Sequence, residues 1–231
     1  MAKRQRPKPG RSPQSGRQTN WVVIGGVVGA GFLILIALLV LALRETTPEG
    51  LAEYCLSNPD NCIIEGAANA PVTIVEISDY NCVHCRNFNV STSLTLHEEY
   101  VDAGQVRWIT LPFALRSTTV PPAAAALCAA DQGLAQFKEM HLGLFSLQQA
   151  AGGFSQDNIM AVATAAGLDM ASFTSCFDSG QYTSTVDTNI RQANLAGVNA
   201  TPSFFVNGIK LEGNQPIESF RQRISSALAA N

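Results

Sequence analysis

The sequence predicts an α/β fold: a small mixed sheet with helices, interrupted by a helical insertion and preceded by a single N-terminal transmembrane helix. Three observations lead there. A strand-forming run, Val72-Thr73-Ile74-Val75-Glu76-Ile77, runs into the tetrad Cys82-Val83-His84-Cys85 at the start of a helical stretch. Far downstream, Thr201-Pro202 precedes a second strand-forming run, Ser203-Phe204-Phe205-Val206. Between Pro121 and Ala196 the chain is Ala-rich and Leu-rich and holds no strand-forming patch.

Residues 1–20 carry Lys3, Arg4, Arg6, Lys8, Arg11 and Arg17 and no acidic residue, among Pro, Gly, Ser and Gln that cannot bury a core. This segment reads as a disordered basic arm. Trp21 to Leu43 is uncharged, about 34 Å of helix against a hydrocarbon core of roughly 30 Å. Its length exceeds the apolar region of a cleaved signal peptide, and no small-x-small site ends it. Six basic residues before the span and Arg44 after it place the arm in the cytoplasm and the rest of the chain outside. Of fifteen Lys and Arg, the arm takes six, leaving nine against eighteen Asp and Glu, a formal balance of −9 for residues 44–231. Such a domain is a poor partner for nucleic acid or anionic lipid.

Residues 44–70 read as a connector, with Thr47-Pro48-Glu49 resembling a helix start. The strand at 72–77 is followed by a helix from about Val83 to Val101 and a strand over 106–111. The helices of the insertion, at about 115–196, break at Gly152-Gly153, Gly167 and Gly180. Strands at 203–206 and 209–212 are joined by Asn207-Gly208, a strong hairpin turn, and a closing helix begins at Pro216.

Six cysteines in an extracytoplasmic chain point to an oxidising compartment. With Cys82 and Cys85 taken as one pair, Cys55, Cys62, Cys128 and Cys176 allow three pairings. Proximity favours Cys55 with Cys62, which leaves Cys128 with Cys176 as a structural staple. A buried free thiol at Cys128 and a second redox pair at Cys55 and Cys62 are the alternatives.

Two cysteines two residues apart at a helix start can close a small disulfide, with the first thiolate stabilised by the helix N-terminus. Cys82, at the helix mouth, is the expected attacking and attacked sulfur, and Cys85, one turn in, the resolving one. His84 can add a hydrogen bond or a positive charge. Glu76 shares a strand face with Val72 and Ile74, so it should be buried and hold a proton near neutral pH. His97 reads as part of a solvated helix face, His141 as a locally packed helix residue, and Phe88 as core. Zinc is disfavoured, because a second closely spaced Cys/His pair is missing.

These segments resemble the DsbA-like thiol:disulfide oxidoreductases. The matching runs are Ala70-Pro71-Val72-Thr73-Ile74-Val75-Glu76 through Ser78-Asp79-Tyr80 to Cys82 and Cys85; the Ala-rich Cys128 helix with Gln132-Gly133 and Met140-His141; and Gly197-Val198 through Thr201-Pro202 to Phe205-Val206-Asn207-Gly208. The resemblance implies a thioredoxin-like domain over 71–231 with the inserted helical domain, a cis bond at Pro202, and Glu76 as a proton shuttle for Cys85. It also implies that Thr201 and Pro202 bind an extended substrate, that no cofactor is needed, and that a membrane quinone-coupled reoxidase restores the disulfide. The expected activity is oxidation of cysteine pairs in exported proteins. The alternatives are a reductase or isomerase on the same scaffold, or a non-enzymatic membrane-anchored binding module. Val83 and Ala200 depart from the family pattern, where proline and glycine are frequent.

Overall fold

The computed structural model describes residues 48–230. The basic arm, the apolar span and the first residues of the connector lie outside them. Five strands form one sheet in the order β1-β3-β2-β4-β5. They are β1 (Ile63–Glu65), β2 (Val72–Ser78), β3 (Val106–Pro112), β4 (Ser203–Val206) and β5 (Ile209–Glu212). β2 runs parallel to β3 and antiparallel to β4, and the outer strands are antiparallel to their neighbours.

Both faces of β2 are covered, which is why its sequence is a nearly unbroken apolar run rather than an alternation. On one face Val72 and Ile74 pack with Phe88, Trp108, Phe204 and Phe220. On the other, Val75 and Ile77 pack with Ile109, Leu111, Phe205 and Leu51. Phe88 is fully buried, tilted against Phe204 and Phe220 at ring separations of 4.5 and 5.2 Å. Burying a side chain of this size contributes about 1.5–3 kcal/mol.

The stretch read from sequence as a connector is part of the fold. It supplies helix α1 (Pro48–Ser57), whose Leu51 and Cys55 pack on the sheet, and the edge strand β1. A disulfide joins Cys55 to Cys62 and thereby ties α1 to the start of β1. Gly66, after β1, has φ +87, and a Cβ there would lie 2.5 Å from the Val106 carbonyl oxygen, so only glycine fits this return to β2.

Residues 83–101 form one helical run, α2, in which α-helical turns Val83–Asn87 and Ser93–Leu96 alternate with π-helical turns Phe88–Thr92 and His97–Val101. Between β3 and β4 lies the inserted helical region: α3 (Val120–Ala130), α4 (Leu134–Ser146), α5 (Gln156–Ala165), α6 (Met170–Asp178) and α7 (Thr183–Leu195). Ser155 and Asp169 cap α5 and α6 by accepting from the backbone N–H groups of Asn158 and Ser172, each worth about 1 kcal/mol. Cys128 of α3 is bonded to Cys176 of α6. The hairpin between β4 and β5 turns at Asn207 and Gly208, both with positive φ (44° and 80°), as a primed two-residue turn requires. Helix α8 (Ile217–Ala229) closes the fold, with Phe220 and Ile224 on the Phe88 side of the sheet.

Candidate active site

β2 carries the chain to Asp79, whose side chain builds the turn that follows. Its Oδ1 accepts from the Asn81 N–H at 2.6 Å, and its Oδ2 accepts from the Leu115 N–H at 2.6 Å and the Thr119 hydroxyl at 2.7 Å. The Asp79 carbonyl takes the Cys82 N–H at 3.0 Å, which sets Cys82 as the N-cap of α2. From α4's C-terminal extension, the Gln148 amide donates to the Tyr80 and Cys82 carbonyls at 2.6 and 3.0 Å. The inserted region therefore holds the tetrad from outside while β2 holds it from within.

Cys82 and Cys85 are free thiols, Cys82 half-buried and Cys85 buried. Their environments push them apart. A hydrogen bond from the Cys85 thiol lowers Cys82 to about 5, against the opposing effect of burial, helped by Thr201 and by the backbone N–H groups of Cys85 and His84. Burial raises Cys85 far above an ordinary thiol, and the adjoining Cys82 sulfur adds to that. One sulfur is thus a thiolate at neutral pH and the other a thiol, the division of labour that nucleophilic exchange needs. His84 points outward and is exposed; its contribution at Cys82 is its backbone N–H.

The Thr201–Pro202 bond is cis, and the Thr201 carbonyl oxygen faces Cys82, 3.3 Å from its sulfur, where it can accept from the protonated thiol only. β4 begins directly after it, paired with β2 through Ser203 and Ile77, so the two chain segments that flank the sulfur are fixed by one sheet register.

Glu76 is 1% exposed. Its carboxylate accepts from the Ser78 hydroxyl, from the Asn89 amide at 2.7 Å and from the Trp108 indole N–H at 3.1 Å. Burial nonetheless raises its pKa above the ordinary carboxylate value, against the lowering effect of those hydrogen bonds. The same Asn89 nitrogen donates to the Cys85 carbonyl at 3.1 Å. Its Oδ1 lies 3.0 Å from Nε2 of His141, whose Nδ1 lies 2.6 Å from the Tyr80 hydroxyl. An amide oxygen only accepts, so His141 donates from Nε2 and accepts from the Tyr80 hydroxyl at Nδ1. Burial holds His141 down to about 4, consistent with a neutral ring.

Sequence reasoning named the cysteines, Glu76, Thr201 and Pro202, and the structure brings these together. It missed Asn89 and Gln148. Asn89 stands four residues after Cys85, one turn along the same helix face, and that spacing was the available signal. His141 reaches Tyr80, 61 residues away, rather than a local partner. His97 is not on a solvated face: its ring packs over Trp108 with centroids 4.6 Å apart. Among the described residues, no group of three or more His, Cys, Asp or Glu could hold a metal ion.

Three likenesses place this arrangement among known proteins. The chain is 30% identical over 190 residues to the Na(+)/H(+) antiporter NhaA 3 of Salinispora tropica, covering 79% of this chain and 27% of that protein. It is 25% identical over 173 residues to a putative protein-disulfide oxidoreductase of Rickettsia felis, covering 73% and 61%. Its fold matches the crystal structure of oxidised BdbD from Bacillus subtilis with a TM-score of 0.65 at 19% identity, over 73% of this chain and 94% of the other. The chain thus spans about a quarter of the antiporter and about three fifths of the oxidoreductase relative. A family model described as thioredoxin matches residues 58–226, from the turn before β1 into α8, and the chain belongs to the thioredoxin family.

Proposed function

We propose that this protein is an extracytoplasmic, DsbA-like thiol:disulfide oxidoreductase that oxidises cysteine pairs of exported proteins through a Cys82–Cys85 disulfide. In this reading residues 21–43 anchor it in the membrane and a quinone-coupled membrane protein reoxidises it. A substrate thiolate attacks Cys82 Sγ; the Cys82–Cys85 bond breaks, and Cys85 leaves and takes a proton. A second substrate thiolate then attacks the substrate sulfur of the mixed disulfide, and Cys82 leaves as a thiolate. The substrate loses two electrons and two protons; the enzyme pair gains both electrons and one proton, carried by Cys85, and the other proton goes to solvent. In this reading Glu76 supplies the proton that Cys85 needs, a role supported by Asn89, which ties the Glu76 carboxylate to the Cys85 carbonyl. Thr201, beside Cys82, offers its backbone to an extended substrate segment.

The observation that carries the reading is the free pair itself, with half-buried Cys82 at the N-cap of α2, buried Cys85 one turn in and the cis Thr201–Pro202 segment against the Cys82 sulfur; this setting lowers Cys82 to about 5. A stabilised thiolate favours the reduced enzyme, and that makes its disulfide a stronger oxidant. The test is the potential of the pair, read by alkylation after equilibration with glutathione, with Cys82→Ser as control. The expected value lies near the oxidising end of this class, around −120 mV, and one near about −270 mV would replace the oxidase with a reductase.

A further inference from the structure

Four segments meet at Cys82, and none carries an acidic residue. Residues 80–97 hold the tetrad, and residues 113–130 brace its turn through the Leu115 N–H and the Thr119 hydroxyl on Asp79. Residues 147–156 reach it through the Gln148 amide, and residues 195–211 bring the Thr201 carbonyl oxygen to 3.3 Å from the Cys82 sulfur. Together they make up a third of residues 44–231 and contain none of the eighteen Asp and Glu there. The two acids at their borders are already occupied. Asp79 is buried with three donors on its carboxylate, and Glu212, opposite Ser203, lies 2.7 Å from Lys210 Nζ.

The same segments bring two guanidinium groups to the tetrad. Arg86 follows Cys85 in α2, and its N–H donates to the Cys82 carbonyl at 3.0 Å. It is half-buried and shares a flank of the helix with exposed Val83 and Val90. Its Nε is buried and has no hydrogen-bond partner among the described residues. Arg116 is exposed in the turn that Asp79 holds, where its carbonyl accepts from the Thr119 N–H at 3.0 Å. The first acid along α2 after Arg86 is Glu98, twelve residues on, about 18 Å away. The first after Arg116 is Asp131, whose carboxylate accepts from the Tyr182 hydroxyl at 2.6 Å. Among the described residues, neither arginine is in an ion pair.

We propose that Arg86 and Arg116 are specificity residues of the exchange site, and that they take the carboxylate of an Asp or Glu beside the reacting cysteine of a client protein. A guanidinium presents a planar fork of donors that matches a carboxylate, and a bound carboxylate would also satisfy the buried Arg86 Nε. Exposed Val83 and Leu115 stand beside the two arginines and offer apolar contact to the rest of the client segment. Screening sets the range. Charges more than about 8 Å apart at physiological salt feel little of one another. The domain's formal balance of −9 therefore does not cancel two cations at the sulfur. A client is selected by the residues flanking its cysteine, not by its net charge.

This inference rests on the exchange reading above, whose substrate class it names, and one experiment separates the two. The full-length chain, in neutral detergent and oxidised at Cys82 and Cys85, is mixed with one of two synthetic dithiol peptides, alike except that Glu or Lys precedes each cysteine. Loss of the protein disulfide is timed, and the rate is divided by the concentration of peptide thiolate, which removes the effect of the charge on the peptide's own thiols. The Glu peptide is expected to react about tenfold faster at low salt, one attraction gained and one repulsion avoided at exposed charges. The ratio should shrink toward one as salt is raised. In the double variant Arg86→Gln, Arg116→Gln it should be near one at low salt. Each ratio is internal to one protein, so a general loss of activity cancels. Arg116→Gln alone, at an exposed side chain, covers the case in which half-buried Arg86 is needed for folding, and should lower the ratio by about threefold. A Glu peptide no faster than the Lys peptide in the unmutated chain, or a preference that survives in both variants, overturns the assignment. If the unmutated chain reacts with neither peptide, the exchange reading falls and this inference with it.

Discussion

The side-chain amide of Asn89 joins Glu76 to Cys85: one nitrogen donates to the Glu76 carboxylate at 2.7 Å and to the Cys85 carbonyl at 3.1 Å. The buried acid of β2 is thereby tied to the turn of α2 that carries the buried thiol, and His141 orients the amide from the inserted region by donating to its oxygen. Asn89→Leu removes all of these bonds at once and leaves the Glu76 carboxylate short of a donor. A buried polar group left unpaired costs about 1–3 kcal/mol. We expect a loss in that range by urea denaturation, and a slower first step of exchange.

Cys82 should titrate far below a free thiol. In the reduced protein, alkylation rate or thiolate absorbance should follow a curve centred near pH 5, where the lowered value lies. The sign for stability follows. Between that value and the ordinary thiol range, about 8.5, the unfolded chain binds more protons than the folded one, so this residue's contribution grows as pH rises and is lost as pH falls towards 5. The disulfide form lacks the group. Denaturation of reduced and oxidised protein at pH 5 and pH 8 should show the reduced form gaining on the oxidised one with pH; a gap independent of pH would contradict a stabilised thiolate.

His141 acts in a lower window. Its folded value, about 4, lies below the ordinary histidine value of 6.5. The unfolded chain therefore binds the extra proton first, and stability falls as pH drops from 6.5 through 4. His141→Gln should flatten that slope relative to the unmutated protein, as read from unfolding midpoints across the range. Equal slopes in both proteins would remove His141 from the acid response.

The two disulfides should differ in their effect on stability. Cys128–Cys176 closes a sequence separation of 48 residues and Cys55–Cys62 one of 7. By loop entropy, replacing the first pair with alanine should cost about 4 kcal/mol and the second about 2.5. Denaturant midpoints of the two double variants give the order directly.

Much of the fold was legible because its signals are local. Asn207-Gly208 between two apolar runs marks a hairpin by backbone sterics alone, and the strands at 203–206 and 209–212 fall where the sequence reading put them. β1 was not legible: three residues, Ile63–Glu65, are too few to show a period, and only pairing with β3 makes them a strand. The same strand explains the misreading of His97. Flanked by Glu98, it has the local look of a solvated face, yet its partner Glu65 arrives from an edge strand 32 residues earlier. Asn89 and Gln148 were missed for the same reason, since their value lies in carboxylate and carbonyl groups that the fold brings to them. The sulfur chemistry and the buried acid Glu76 could be read from a tetrad and a strand face; the Asn89 and Gln148 side chains that brace them could not.

Glu76→Gln tests the proton supply to Cys85 most directly. Burial raises the Glu76 pKa, so in the folded protein the acid persists above the ordinary carboxylate value and is lost as pH rises further. If its proton goes to Cys85 during exchange, the rate of disulfide reduction, divided by the concentration of attacking thiolate, should fall as pH climbs through that raised value. Glutamine fills the same volume and can still accept from Ser78 and Asn89, but it has no acidic proton to give. Its amide also meets the Trp108 N–H with a second donor or a rotated oxygen, so some stability is lost as well. The expected result is a thiolate-corrected rate about 10²-fold below the unmutated one at pH below that raised value, with no fall as pH rises. Stopped-flow fluorescence reads it, because Trp108 lies against Glu76. A variant whose corrected rate still falls over the same pH range would show that another group supplies the proton.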